Sequence, residues 1–247
     1  MVNIWTIASR EYRAYFSNFT VYLFTFFILL VVGGVLAASL LFSLNSFGET
    51  PPPGVQVVTG PLIFMLIFAC PAFTMRLISE ESRLGTIELL LTAPVRDSEL
   101  VVGKWFGSFL FVLTLIAITW VYPLILNFII DPGIDQGPLI SGYLGLILAS
   151  AAFLAIGVFF SSLFESQVAS YITTFGVIVL FWWIMGIVGQ AATGTTGTLF
   201  QFLDMASHFY DNLYRGVIQL SSVVFYLTLT VLALVFSSVS VESRRWR

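Results

Sequence analysis

The sequence predicts an all-α, polytopic membrane protein with six transmembrane helices, an amphipathic N-terminal interfacial helix and a short cytoplasmic helix. Three observations carry that expectation. Hydrophobic residues make up 58% of the 247 residues and charged ones 9%, against roughly half and a quarter in soluble domains. Six apolar runs each approach or exceed the ~20 helical residues that a hydrocarbon layer of about 30 Å requires. Runs such as VYLFTFFILLVVGGVLAASLLF lack the every-second-residue alternation of a membrane barrel, and an open sheet edge cannot lie in lipid. The polar intervals are too short for a separate folded domain, so residues 1–247 read as a single transmembrane unit. Function then falls to the spans and their loops. The lone cysteine, Cys70, excludes an intrachain disulfide or a cysteine cluster and reads as an apolar filler.

In chain order, residues 1–18 come first. Ile4, Trp5, Ala8, Tyr12, Tyr15 and Phe19 recur at helical spacing with polar residues between them, the pattern of a helix lying in the membrane interface. The spans are expected at 19–42, 60–78, 101–127, 140–164, 168–188 and 217–241. The first carries no cleavage signal after a compact apolar core, so it reads as a retained span. The connector ETPPPGVQ, residues 49–56, reads as a stiff polyproline-like link. Nine of the ten basic residues flank alternate loops on one side: Arg10, Arg13, Arg76, Arg83, Arg96, Lys104, Arg244, Arg245 and Arg247. Arg215 alone falls on the other, which places both termini in the cytoplasm. No basic cluster with interleaved aromatics suggests nucleic acid.

The first inner loop, residues 79–100, is the most informative stretch. The second span can continue through Glu80 and Glu81 until Gly85 caps it. Thr86 can then N-cap a short helix, with Glu88 near its positive end. That helix carries Ile87, Leu89, Leu90 and Leu91 and stops at Pro94; Asp97 or Ser98 can cap the helix leading into the third span. Leucines without a soluble core of their own must meet lipid, the N-terminal helix or a protein docking from the cytoplasm.

This loop, Glu81-x-x-x-Gly85-Thr86-x-Glu88-x-Leu90-Leu91-x-x-Pro94, resembles that of the membrane subunits of type-2 ABC exporters, six-span permeases with an amphipathic connecting helix. Gly103 and Lys104 continue the resemblance. Ser207-His208-Phe209 and Arg215-Gly216-Val217-Ile218 make the chain most similar to gliding-motility permeases of the GldF type. The resemblance implies that Glu81, Gly85, Thr86, Glu88, Leu89, Leu90 and Pro94 form a coupling helix seated in a cytoplasmic ABC ATPase, with Glu81 and its neighbours bracing it against the connecting helix. It also implies a second permease chain, as homodimer or heterodimer, in the plasma (inner) membrane. ATP and magnesium would belong to the ATPase. Here the one Gly-Lys pair, Gly103-Lys104, lacks the upstream glycine and is followed by Trp105, so it is no phosphate-cradling loop.

Residues 189–216 begin flexibly and continue in a partly helical pattern. By resemblance to exporters with a re-entrant outer hairpin, they read as a lid over the outer end of the pathway, containing His208, Arg215 and Gly216. His208, the only histidine, reads as a packed, hydrogen-bonded side chain rather than a metal ligand. The span interiors contain no Asp, Glu, Lys or His, which argues against a membrane-embedded enzyme or an ion-coupled carrier. Ser161-Ser162, Thr173-Thr174, Gly33-Gly34, Gly142, Gly145 and Gly157 read as helix-packing residues, and Pro71 and Pro123 as kinks. A non-transporting membrane scaffold is the alternative reading. It leaves the acid-flanked leucine helix without a purpose.

Overall fold

The computed structural model describes residues 2–45, 52–83, 96–131, 133–192 and 194–244, and every regular element among them is helical. In order these are α1 (Val2–Phe16), α2 (Phe19–Asn45), α3 (Gln56–Thr74), α4 (Ser79–Arg83), α5 (Asp97–Ile118), α6 (Val121–Ile129), α7 (Gln136–Leu163), α8 (Gln167–Val179), α9 (Met185–Ala191), α10 (Thr195–Leu203), α11 (Met205–Ser207) and α12 (Leu220–Arg244). Among the described residues, six stretches are long and apolar enough to cross a membrane: Phe19–Asn45, Gln56–Arg83, Asp97–Ile129, Gln136–Leu163, Gln167–Ala191 and Leu220–Ser243. They coincide with the six expected spans. Helices run on past the apolar core until a polar group ends them. The Asp135 carboxylate accepts the Gly137 N–H at the start of α7, and the Ser166 hydroxyl accepts the Ala169 N–H at the start of α8.

The centre of the bundle is α7, against which α3, α5, α8 and α12 all pack. Its sequence explains this position. Gly142, Gly145, Ala149, Ala152, Ala155 and Gly157 are small enough for neighbouring backbones to approach closely, which is how helices associate where water supplies no driving force. A side chain at Gly145 would collide with the Phe209 ring, and one at Gly157 with Thr74. Of Gly33-Gly34, Gly33 has the expected packing role, since a Cβ there would stand 3.1 Å from the Tyr122 hydroxyl of the third span, whereas Gly34 meets no described atom within 4 Å and is corrected. α2 is the least enclosed span, burying only Val21, Ile28, Val32 and Leu36. Its remaining face, including Tyr22, Phe26 and Phe27, is exposed apolar surface suited to lipid.

Three interruptions shape the spans. The second span breaks at residues 75–78, one turn after Pro71, whose carbonyl still accepts the Met75 N–H at 2.9 Å. The freed N–H groups of Ile78 and Ser79 are taken by the Ser161 hydroxyl of α7 at 3.0 and 3.1 Å. Ser161 is thus a hydrogen-bonding support, not merely the small packing residue expected. The third span turns at Thr119–Trp120, just before Pro123. The fifth contains a π-helical turn, Leu180–Ile184.

Candidate functional site: the junction of α1, α4 and α5

α1 lies along α5, and glycine makes the contact possible. A Cβ at Gly103 would stand 2.9 Å from the Ile7 side chain, and one at Gly107 would stand 2.7 Å from Glu11 Cβ and 2.8 Å from the Ala8 carbonyl. The inward face of α1 therefore contains Ile7, Ala8, Glu11 and Tyr15, whereas Trp5, assigned to the apolar stripe by spacing alone, is 61% exposed. Tyr15 donates its hydroxyl to the Phe73 carbonyl of α3 at 2.8 Å and stacks on Phe111 of α5 at 4.8 Å. Burial, and then the Glu11 carboxylate, hold the Tyr15 hydroxyl well above the usual tyrosine range, so it stays a donor.

At the centre of the junction is Lys104. Its side chain is only 2% exposed, and its ammonium lies 2.8 Å from Glu81 Oε1 and 3.1 Å from Glu11 Oε1. Arg10 adds an outer cation, 3.3 Å from Glu11 and 3.9 Å from Glu81. One buried charge thereby ties together α1, the stub α4 that leads into the inner loop, and α5. A lone buried ammonium would be prohibitively costly; two carboxylates at hydrogen-bonding distance make it tolerable. The same stub is held from the other side by Ser161. Displacement of α4 must therefore be felt by α1, α3, α5 and α7 together.

Of the residues expected to carry this site, Glu81 is in the cluster. Gly85, Thr86, Glu88, Leu89, Leu90 and Pro94 lie outside the described residues. The expected cap at Asp97 or Ser98 is corrected: Asp97 is already helical, Arg96 is the N-cap, and Glu99 reaches back to accept the Arg96 N–H and the Asn3 amide, both at 3.2 Å. A carboxylate three residues into the helix can accept that N–H; the Asp97 side chain is not its partner. Sequence reasoning took Lys104 for one more flanking charge and left Glu11 unassigned. The available signal was Gly103-x-x-x-Gly107, a close-approach pattern on the face that carries Lys104.

At the opposite end, residues 189–216 fold into a hairpin and a plug. α9 and α10 pack as a pair, with Gln201 donating to the Gly189 carbonyl at 3.2 Å. The chain then inserts Met205, Phe209 and Leu213, all fully buried, between the ends of the spans. Tyr226 holds the Met205 carbonyl at 2.8 Å, and Ser141 the Leu213 carbonyl at 2.7 Å. His208 stacks on Phe225 at 4.3 Å. Its Nε2 lies 3.0 Å from the Phe202 carbonyl, which can only accept, so Nε2 carries the proton and Nδ1 accepts from the Ser222 hydroxyl at 3.2 Å. Both ring nitrogens are engaged, as expected of a packing histidine. Arg215 is exposed and pairs with Asp211 at 3.6 Å. Gly216 adopts φ +99°, a conformation costly for other residues. It turns the chain into α12, which starts at Leu220 rather than at the expected 217.

Burial pushes the Asp204 carboxyl up, partly opposed by the N–H groups of Ala206 and Ser207. A raised native pKa means that the folded state holds its proton more tightly, so stability falls as pH rises from the ordinary aspartate value of about 3.9 through the native one. Asp204→Asn should flatten that part of the thermal stability profile while an amide oxygen keeps the cap to Ala206. An unchanged slope would show that Asp204 does not produce it.

The six span-length helices define a polytopic α-helical membrane protein, with an ion-paired junction joining α1, α4 and α5. Residues 5–244 match the model of the family described as ABC-2 family transporter protein, and the chain belongs to that family. It is thus a multi-pass permease subunit of the ABC transporter class, and membership implies an ABC ATPase as partner. A comparison with curated proteins finds no match.

Proposed function

We propose that this chain is the membrane half of an exporter, converting ATP turnover in separate cytoplasmic ATPase subunits into passage of a substrate across the plasma (inner) membrane. Both termini lie in the cytoplasm, and a second permease chain completes the pathway. The inner loop, residues 79–100, is where the ATPase engages this chain, ATP and magnesium stay with the ATPase, and the outer hairpin acts as a re-entrant lid. The resemblance to GldF-type permeases points to a gliding-motility-type system. The observation that carries the reading is the Lys104 cluster with Glu11 and Glu81. It gives force arriving at α4 a rigid route into α1 and α5 at the foot of the bundle, and a rigid element with two arrangements is what a switching transition needs.

The test is reconstitution with an ABC ATPase that co-purifies with this chain. Glu81→Ala and Leu90→Asp should each insert normally yet lower permease-dependent ATP turnover and export by about tenfold, the factor that about 1.4 kcal/mol of lost coupling produces. Undiminished export in both variants would remove the loop from the mechanism.

A further inference from the structure

A cavity of about 270 Å³ opens between α1, the start of α2, the end of α3 and α4. Val21, Phe24 and Phe73 give it an apolar lining, while Asn18, Arg76 and Glu80 supply polar groups. This mixture of apolar walls and a few convergent polar groups characterises ligand sites, and the volume lies just below their ~300–1,000 Å³ range, room for a headgroup and the start of a chain. Arg76 is exposed and Glu80 half-buried, and neither forms an ion pair or hydrogen bond with another described residue. They stand four positions apart, a spacing that pairs opposite charges on a continuous helix, but the break at residues 75–78 lies between them. Asn18 spends its side-chain oxygen on the Thr20 N–H at 3.0 Å and keeps its amide NH₂ for another acceptor. Lys104 also borders the cavity but is committed to Glu11 and Glu81.

We propose that this cavity binds a zwitterionic aminophospholipid from the adjoining leaflet. The phosphate pairs with the Arg76 guanidinium and the Asn18 amide, the primary ammonium donates to Glu80, and the start of one acyl chain lies along Val21 and Phe24. Charge selects this class. Lys104 and Arg10 already neutralise Glu11 and Glu81, which leaves Arg76 and Glu80 as the charges offered to a ligand in the cavity, and a headgroup with only an anionic phosphate leaves Glu80 unmatched. A headgroup carrying both signs matches an arginine and a glutamate that are unpaired among the described residues, and charge-assisted hydrogen bonds at both ends orient it. The apolar lining supplies the part of the affinity that a soluble headgroup cannot obtain. This site is independent of any coupling to ATP.

The experiment is native mass spectrometry of the full chain released from detergent with phosphatidylethanolamine, phosphatidylcholine or phosphatidylglycerol of matched acyl chains. Wild type should retain phosphatidylethanolamine about tenfold more than phosphatidylglycerol, the ratio that about 1.4 kcal/mol gives. Phosphatidylcholine, whose quaternary ammonium donates no N–H, should fall between. Glu80→Gln should reduce phosphatidylethanolamine to the phosphatidylcholine level, and Arg76→Gln, which removes the phosphate's partner, should lower retention of all three lipids. Glycerophosphoethanolamine should compete poorly, and competition equal to the lipid's would replace the membrane ligand with a soluble one and overturn the proposal. Equal retention of the three lipids by wild type, a comparison that requires no variant to fold, would also overturn it, as would unchanged retention in both variants.

Discussion

Lys104→Met is expected to destabilise the protein by about 3 kcal/mol, the lower end of the ~3–5 kcal/mol lost when one member of a buried ion pair is removed. The lower end applies because the Glu11 and Glu81 side chains are 15% and 19% exposed, whereas that of Lys104 is 2%. The loss comes chiefly from what remains. Two carboxylates that shared one ammonium are left facing each other, and Arg10, 62% exposed and 3.9 Å from Glu81, is too solvated to replace it. The sign of a second change separates this account from simple loss of packing. Adding Glu11→Gln and Glu81→Gln to Lys104→Met should recover most of the stability, because an uncharged trio removes the repulsion and its desolvation cost together. Thermal unfolding of the detergent-solubilised chain measures both. A stable single variant, or a triple variant no better than the single, would mean that the cluster does not hold α1, α4 and α5 together.

The spans were legible because lipid imposes one rule everywhere: a helix crossing it must be long and apolar. Residues that obey the rule, such as the small residues of α7, could be placed without coordinates. Those that break it could not. Lys104 looked like a flanking charge because composition records that a lysine stands near a span end, not that a second helix lies over it. Its burial depends on Gly103 and Gly107 admitting α1, a contact between residues about a hundred positions apart. Ser161 shows the same limit. Its hydroxyl serves N–H groups freed by a break in another helix, and nothing local to Ser161 announces that need. The outer segment was read correctly as partly helical. Its plug, however, arises from the meeting of the π-helical turns Leu180–Ile184 and His208–Asn212, where Trp182 packs on Phe209 at 5.9 Å, a pairing with no periodic signature.

The close approach of α1 to α5 leads to the second large effect. At Gly107 a Cβ would stand 2.7 Å from Glu11 Cβ and 2.8 Å from the Ala8 carbonyl, and the carbonyl belongs to backbone that cannot rotate away. Gly107→Ala should therefore cost about 1–3 kcal/mol as overpacking, outweighing the ~0.5–1 kcal/mol by which alanine is otherwise preferred over glycine inside a helix. Gly107→Leu should go further and lift α1 from α5, because no rotamer of a branched side chain fits where the first carbon already collides. Glu11 would be carried away from Lys104, so the steric change should also undo the ion cluster. Combined with Lys104→Met, Gly107→Leu should then cost less than the sum of the two alone, a coupling measurable in a double-mutant cycle. Gly34→Ala on α2, where nothing lies within 4 Å, is the matched control and should leave stability unchanged or slightly higher. If Gly107→Leu behaved like Gly34→Ala, α1 would not be seated on α5 in the folded protein, and the route proposed from α4 into α1 would be lost with it.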